Sequence, residues 1–221
     1  MNARAFVDHL PFWGNLLPAE QELVRAKAYV KNFEAGSLIQ SSDKFNLGFV
    51  HILSGKVRAF VSSDEGREIT LFFLEKGDSC ILSAASVLRQ IIFDTLVSSV
   101  TNTRILILPP QAFSSLLESN LHVKFFAYEL IATRFSSVML ALQHMVFTRL
   151  DKRLARFLLA QRDEAGGNEL HIKQTDIATH VNSVRVAVTR VLNQFASDGV
   201  LECRRGCIVL KNIAWLQKLA A

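Results

Sequence analysis

Residues 182–195, NSVRVAVTRVLNQF, hold the chain's most legible chemistry. Val184, Val188, Val191, Leu192 and Phe195 recur at i, i+4, i+7, i+8 and i+11, the apolar stripe of one helix. Arg185, Val186, Thr189, Arg190 and Asn193 fall off that stripe. Two guanidiniums, a hydroxyl and a carboxamide on one outer face can reach base edges: arginine can hold guanine O6 and N7 with two hydrogen bonds, and threonine or asparagine can touch a base or a phosphate. The bare Val186 can pack on a thymine methyl. Charge placement agrees with nucleic acid. Residues 1–147 hold 13 Lys+Arg and 13 Asp+Glu, whereas residues 148–221 hold 12 and 7, so the last third carries the whole net charge of +5. The competing reading is a solvated structural helix in a protein-binding module; the basic pair Arg204-Arg205 nearby favours DNA.

Other reactive residues are sparse. Cys80, Cys203 and Cys207 are odd in number and show no CxxC spacing, so neither a disulfide framework nor a zinc finger is indicated. Cys203 and Cys207 flank a tight turn and could meet across a hairpin, but free thiols are expected. Of six histidines, only His51 lies in the β-type segments between about residues 28 and 108, no H-x-H pair occurs, and no nucleophile–base pair has motif support. His51 reads as a core histidine in preference to a ligand. Catalytic residues and a metal site are therefore not expected; the rival from another class is a cupin-like metal enzyme.

Elements must hold these side chains in place. With 50% apolar and 20% charged residues, the chain is globular. MNARAFVDHLPFWGNL lacks the apolar core of a signal peptide and no run of about 18 apolar residues follows, so a cytoplasmic protein without a membrane span is expected. From about residue 28 to 108 short β-type runs (FVHILSG, VRAFVSS, EITLFFL, RILILP) are punctuated by Gly36, Gly55, Gly66 and Gly77, the rhythm of an antiparallel β-roll. A short helix, QAFSSLLES, precedes a long one. In the long one Phe125, Tyr128, Ala132, Phe135, Met139, Leu142 and Val146 recur at alternating spacings of 3 and 4, a coiled-coil seam that predicts a homodimer. RLDKRLARFLLAQR (149–162) is amphipathic, with Leu150, Leu154, Phe157 and Leu158 inward and Gly166-Gly167 as its stop. Then come a short strand ELHI, the helix QTDIATHV, a turn at Asn182 with Ser183 as N-cap, and the opening helix: a helix-turn-helix. VLECRRGCIVL alternates about Arg205-Gly206 as a wing hairpin. The expected fold is α+β: an N-terminal antiparallel β-roll domain over 1–119, a dimerisation helix over 120–147 and a winged helix-turn-helix DNA-binding domain over 148–221.

The roll with SGKVRAFVSSDEGREITLFFLEKGD, the long helix, LDKRLARFLL and the winged helix-turn-helix together resemble the Crp/Fnr family of bacterial transcription regulators, in order and over nearly the whole chain. The resemblance implies a homodimer whose cyclic-nucleotide-binding-type roll senses an effector and repositions two DNA-reading helices on a near-palindromic duplex, with RNA polymerase as a further partner. Arg185, Thr189 and Arg190 match family positions that contact bases or backbone, with Arg190 the foremost. Val186 departs from the family's R-E-x-x-S/T-R pattern, where glutamate accepts from cytosine. Lys173 stands where relatives place a capping threonine. Lys173, Thr175, Ser183, Asn193, Arg204 and Arg205 complete the expected DNA-binding set.

The resemblance also locates an effector pocket at Gly77, Asp78, Ser79, Cys80, Ser83, Arg89, Phe93, Asp94 and Thr95. Cyclic-AMP-binding relatives clamp the phosphate with an Arg-Ser pair that here falls at Phe93-Asp94. Phenylalanine supplies no donor and aspartate repels a phosphate, so a cyclic nucleotide is not expected. One cysteine near the roll excludes a four-cysteine iron–sulfur cluster within a single chain. A haem-dependent gas or redox sensor is the alternative, with Cys80 near a ligand position; the commoner reading of Cys80 is a small buried side chain.

Overall fold

The run Ile105–Leu108 does not alternate between apolar and polar, because the strand that it forms is covered on both faces. In the computed structural model, which describes residues 3–40, 47–63, 68–81 and 95–221, the chain divides into two compact units: residues up to 62 with 71–139, and residues 63–70 with 140–221.

The first unit opens with three short 3-10 turns and helix α1 (Pro18–Lys27). Among the described residues eight strands follow: β1 (Tyr29–Phe33), β2 (Leu38–Gln40), β3 (Phe49–Ser54), β4 (Lys56–Ser62), β5 (Glu68–Glu75), β6 (Ser79–Ile81), β7 (Leu96–Ser99) and β8 (Thr103–Leu108). They form two four-stranded sheets, ordered β1-β8-β3-β6 and β2-β7-β4-β5. The registered pairs are antiparallel, such as Val50 with Ile107 and Ala59 with Val97. Alternate residues of β3 and β8 then serve two cores. Val50, Ile52, Ile105 and Ile107 point between the sheets, with Ile39, Val57, Leu74 and Val97. Phe49, Leu53, Leu106 and Leu108 point the other way, under α2 (Pro110–Ser119) and the start of α3 (Leu121–Phe147). Each fully buried aliphatic or aromatic side chain there contributes about 1.5–3 kcal/mol relative to exposure. Phe49 stacks on Phe113 at 5.0 Å, with Phe12 edge-on at 5.3 Å.

The β3–β4 turn needs its glycine. Gly55 has φ of 91°, and a Cβ would lie 2.5 Å from both Asn102 O and Thr103 Oγ1. Gly36 and Gly77 also have positive φ, in keeping with the glycine rhythm; Gly66 lies outside the described residues. A polar knot starts α3. Asn120 Oδ1 accepts from the backbone N–H of His122 and Val123, while its Nδ2 donates to Glu20 Oε2 at 2.7 Å and Asn15 O at 3.0 Å. Buried Asn120 thus caps the helix and ties it to α1.

In the second unit, α4 (Leu150–Ala165) ends at Gly166, whose φ of 67° gives the left-handed cap. β9 (Glu169–Leu170), α5 (Gln174–His180), α6 (Arg185–Ser197), β10 (Leu201–Arg204), β11 (Cys207–Leu210) and α7 (Ile213–Ala220) follow. Leu154, Leu158, Ile177, Val188, Leu192, Phe195, Ile208 and Leu216 make one core, with Leu150 and Phe157 at its margin. The antiparallel sheet runs β10-β11-β9.

Candidate nucleic-acid interface

Helix α6 exists because Val188, Leu192 and Phe195 have a core to enter, and all three are buried. Val184 is not part of that stripe. It is 54% exposed and sits at the N-cap, because the helix begins at Arg185, one residue later than its spacing predicts. Ser183 is accordingly not the cap; its N–H donates to Ala178 O at 2.9 Å and closes the turn after α5. Asn182 does occupy the turn with φ of 50°, a left-handed conformation asparagine tolerates. Lys173 is the N-cap of α5; its ammonium can only donate, so it makes no side-chain cap, and the residue is exposed.

The outer face of α6 is a shallow open concavity lined by Arg185, Val186, Thr189, Arg190, Asn193, Gln194 and Ser197. Arg185 and Arg190 are exposed, and neither has a carboxylate partner among the described residues. Val186, 70% exposed, stands between them. Thr189 is less available: its hydroxyl lies 2.7 Å from Gln174 Oε1 and 2.9 Å from Arg185 O, which pins α6 to the first residue of α5. Gln174, Gln194 and Ser197 were not picked out by residue spacing. Gln194 and Ser197 continue the i+4 and i+7 rows of Arg190, and that periodicity was the available signal.

In the wing, Arg204 and Arg205 differ. Arg204 bonds Glu202 at 2.8 Å, and Lys211 reaches the same carboxylate at 3.0 Å. Those two cations, Arg204 foremost, hold the Glu202 carboxyl down at about 2. Arg205, at the hairpin tip beside Gly206 (φ 74°), has no such partner among the described residues. The basic pair is therefore one tethered and one available cation. Cys203 pairs in register with Ile208, and Cys207 with Arg204, so the two cysteines are not opposite each other and both are free.

Arg153 braces the module. Its guanidinium donates to Thr148 O at 2.7 Å and Met145 O at 3.4 Å at the end of α3, and to Val181 O at 3.0 Å beyond α5. On the other surface of α3 the seam residues Phe125, Tyr128, Ala132, Phe135, Met139, Leu142 and Val146 are all exposed.

The described part of the expected effector pocket is the β5–β6 turn. Asp78 Oδ2 accepts from Glu75 N–H at 2.8 Å, and Ser79 Oγ lies 2.9 Å from His51 Nδ1. Burial, reinforced by His9, holds the His51 pKa below its ordinary value, which fits a neutral core histidine. Burial pushes the Cys80 thiol up to about 11, so it is protonated at neutral pH, in keeping with a small buried side chain. Thr95 is half-buried; Ser83, Arg89, Phe93 and Asp94 lie outside the described residues. A cation from α3 reaches this turn. Arg134 of α3 donates to Ser79 O at 2.9 Å, lies 3.9 Å from Asp78 Oδ1 and covers the Phe72 ring at 5.2 Å. Val123, Ala127, Leu130 and Arg134 form the roll-facing row of α3, a spacing that exposes this residue in hindsight.

Comparison with known proteins gives the same partition. Residues 152–219 match the model of the Crp-like helix-turn-helix domain, and residues 30–120 that of the cyclic nucleotide-binding domain. A crystal structure of a crp/fnr-family protein from Eubacterium rectale shares 33% identity and a TM-score of 0.88, covering 96% of this chain and 99% of its own. The protein named cyclic AMP receptor protein from Thermus thermophilus is 25% identical over 95% of this chain and 96% of its own length. A c-di-GMP-responsive global regulator from Xanthomonas campestris, at 17% identity and a TM-score of 0.71 over 87% of this chain and 98% of its own, shares the fold. A cyclic-nucleotide-binding-type β-roll followed by a Crp-like helix-turn-helix, with a 33% identical relative covered almost end to end, places the chain in the Crp/Fnr family of transcription regulators.

Proposed function

We propose that this transcription regulator works as a homodimer whose two α6 helices enter successive major grooves of a near-palindromic DNA duplex. The observation that carries this reading is the outer face of α6, where Arg185 and Arg190 flank Val186 without a carboxylate partner among the described residues. Arg190 reads a guanine, Val186 meets a thymine methyl, and Arg185, Thr189 and Asn193 reach adjacent bases or phosphates. Lys173, Thr175, Ser183, Arg204 and Arg205 contact backbone, where cations position without specifying.

Residues 120–147 serve as the dimerisation helix. The uncovered seam, with Phe135 65% and Val146 67% exposed, supports this. By length and composition α3 could also cross a membrane. Its Arg134, bound to the turn of the roll, argues for a helix packed on protein. Family membership supports a cytoplasmic location and contact with RNA polymerase. The roll's effector is not a cyclic nucleotide in this reading, because the sequence offers Phe93-Asp94 in place of a phosphate clamp.

Selection of bound duplexes from a random pool, with and without cell extract, tests the proposal. An inverted repeat enriched by the purified chain or by chain plus extract supports it; enrichment of unrelated sequences in both arms overturns it.

A further inference from the structure

We propose that the base of the wing is a binding site for a divalent transition metal of the zinc class. Glu169, His171 and Cys207 offer ligand atoms that all lie within 4.8 Å of one another. The sheet brings them together. The register pairs Leu170 with Ile208 and Glu169 with Val209, so the next residues along, His171 and Cys207, also come side by side. Leu170 and Ile208 are buried in the core, which sends Glu169, His171 and Cys207 to the opposite face. Cys207 Sγ is already 3.4 Å from Glu169 Oε1.

The dimensions and donors suit that ion. Tetrahedral zinc with bonds of about 2.0–2.3 Å separates its ligand atoms by about 3.3–3.6 Å. The Cys207–Glu169 edge has that length, and the His171 nitrogen, within 4.8 Å of both partners, has to move closer to complete the set. One sulfur, one imidazole nitrogen and one carboxylate oxygen select zinc, cobalt or nickel over magnesium and calcium, which take oxygen. Three protein ligands leave the fourth position to water.

The consequence, which rests on the winged-helix reading, is control of the wing. Cys207 follows the Arg205-Gly206 turn directly, so a bound ion would tie the hairpin to β9. It would also neutralise Glu169, an anion beside a surface meant for phosphates. Metal would then strengthen DNA binding.

The test is titration of the reduced, chelator-stripped full chain with cobalt(II), followed by back-titration with zinc. One equivalent of cobalt should produce a thiolate-to-metal charge-transfer band that zinc abolishes. Cys207→Ser should remove the band, whereas Cys80→Ser and Cys203→Ser should leave it. His171→Ala and Glu169→Gln, at exposed positions that tolerate change, should each weaken zinc binding by about ten-fold or more. A band that persists in Cys207→Ser, or its absence from the wild type at millimolar cobalt, overturns the site. DNA binding measured with and without zinc separates the two readings: a normal cobalt spectrum with no DNA binding faults the winged-helix reading and leaves the metal site standing.

Discussion

At the scale of residues, the arginines divide by what they already touch. Arg204 is held by Glu202, whereas Arg190 and Arg205 are available for contacts outside the chain. Arg190→Ala should lose about 1–3 kcal/mol on the preferred sequence and relax the choice at one base pair per half-site. Arg205→Ala should weaken binding on all sequences and lower the salt slope by about one unit. Quantitative binding to a randomised palindrome library at two salt concentrations distinguishes them; identical, sequence-independent losses would remove the helix-in-groove assignment. Val186→Glu should shift preference toward a C·G pair in the same assay. His51 gives a separate prediction. Its folded pKa lies below the ordinary 6.5, so the unfolded chain takes up the proton first as pH falls. The stability it contributes is complete above pH 6.5 and is lost as the pH drops toward the folded value. His51→Gln should flatten the fall in melting temperature between pH 7.5 and 5 (about the range in which histidine titrates), and an unchanged slope would contradict the assignment.

At the scale of elements, α3 has two jobs on two faces. Val123, Ala127, Leu130 and Arg134 meet the roll, while Phe125 through Val146 carry an uncovered seam at heptad spacing. Replacing both Phe135 and Leu142 with Glu should break the dimer at a cost of roughly 3–5 kcal/mol for each uncompensated charge buried. Both positions are exposed in the single chain, so circular dichroism and melting should show the roll intact. Sedimentation of the double variant as a dimer would show that the seam lies elsewhere.

For the whole molecule, a symmetric dimer dictates the operator. Half-site centres should lie about one helical turn apart, roughly 34 Å, because two helices related by a two-fold axis must enter successive grooves on one face. Footprinting of the selected site measures this spacing directly. The effector prediction is also global: millimolar cyclic AMP or cyclic GMP should leave the melting temperature and DNA affinity unchanged. A ligand at 100 times its Kd would add about 2.7 kcal/mol to stability, a shift thermal melting resolves.

The order of roll, long helix and winged helix-turn-helix was legible in the sequence because it is written in local periodicities: strands bounded by glycine, a seam of threes and fours, an amphipathic pair around Asn182. So was the outer face of α6, since five of its side chains follow from helical spacing alone. What the sequence did not carry is whatever depends on where a second element lies. Val184 left the buried stripe because the helix starts one residue later, a boundary that periodicity does not mark. Thr189 is occupied by Gln174 and Arg204 by Glu202, pairings set by the packing of α5 on α6 and the register of the wing. Arg134 reaches Ser79 across 55 positions of chain, and Glu169 meets Cys207 across 38. Spacing along the chain reports which face a side chain occupies; only the folded backbone decides what waits opposite that face.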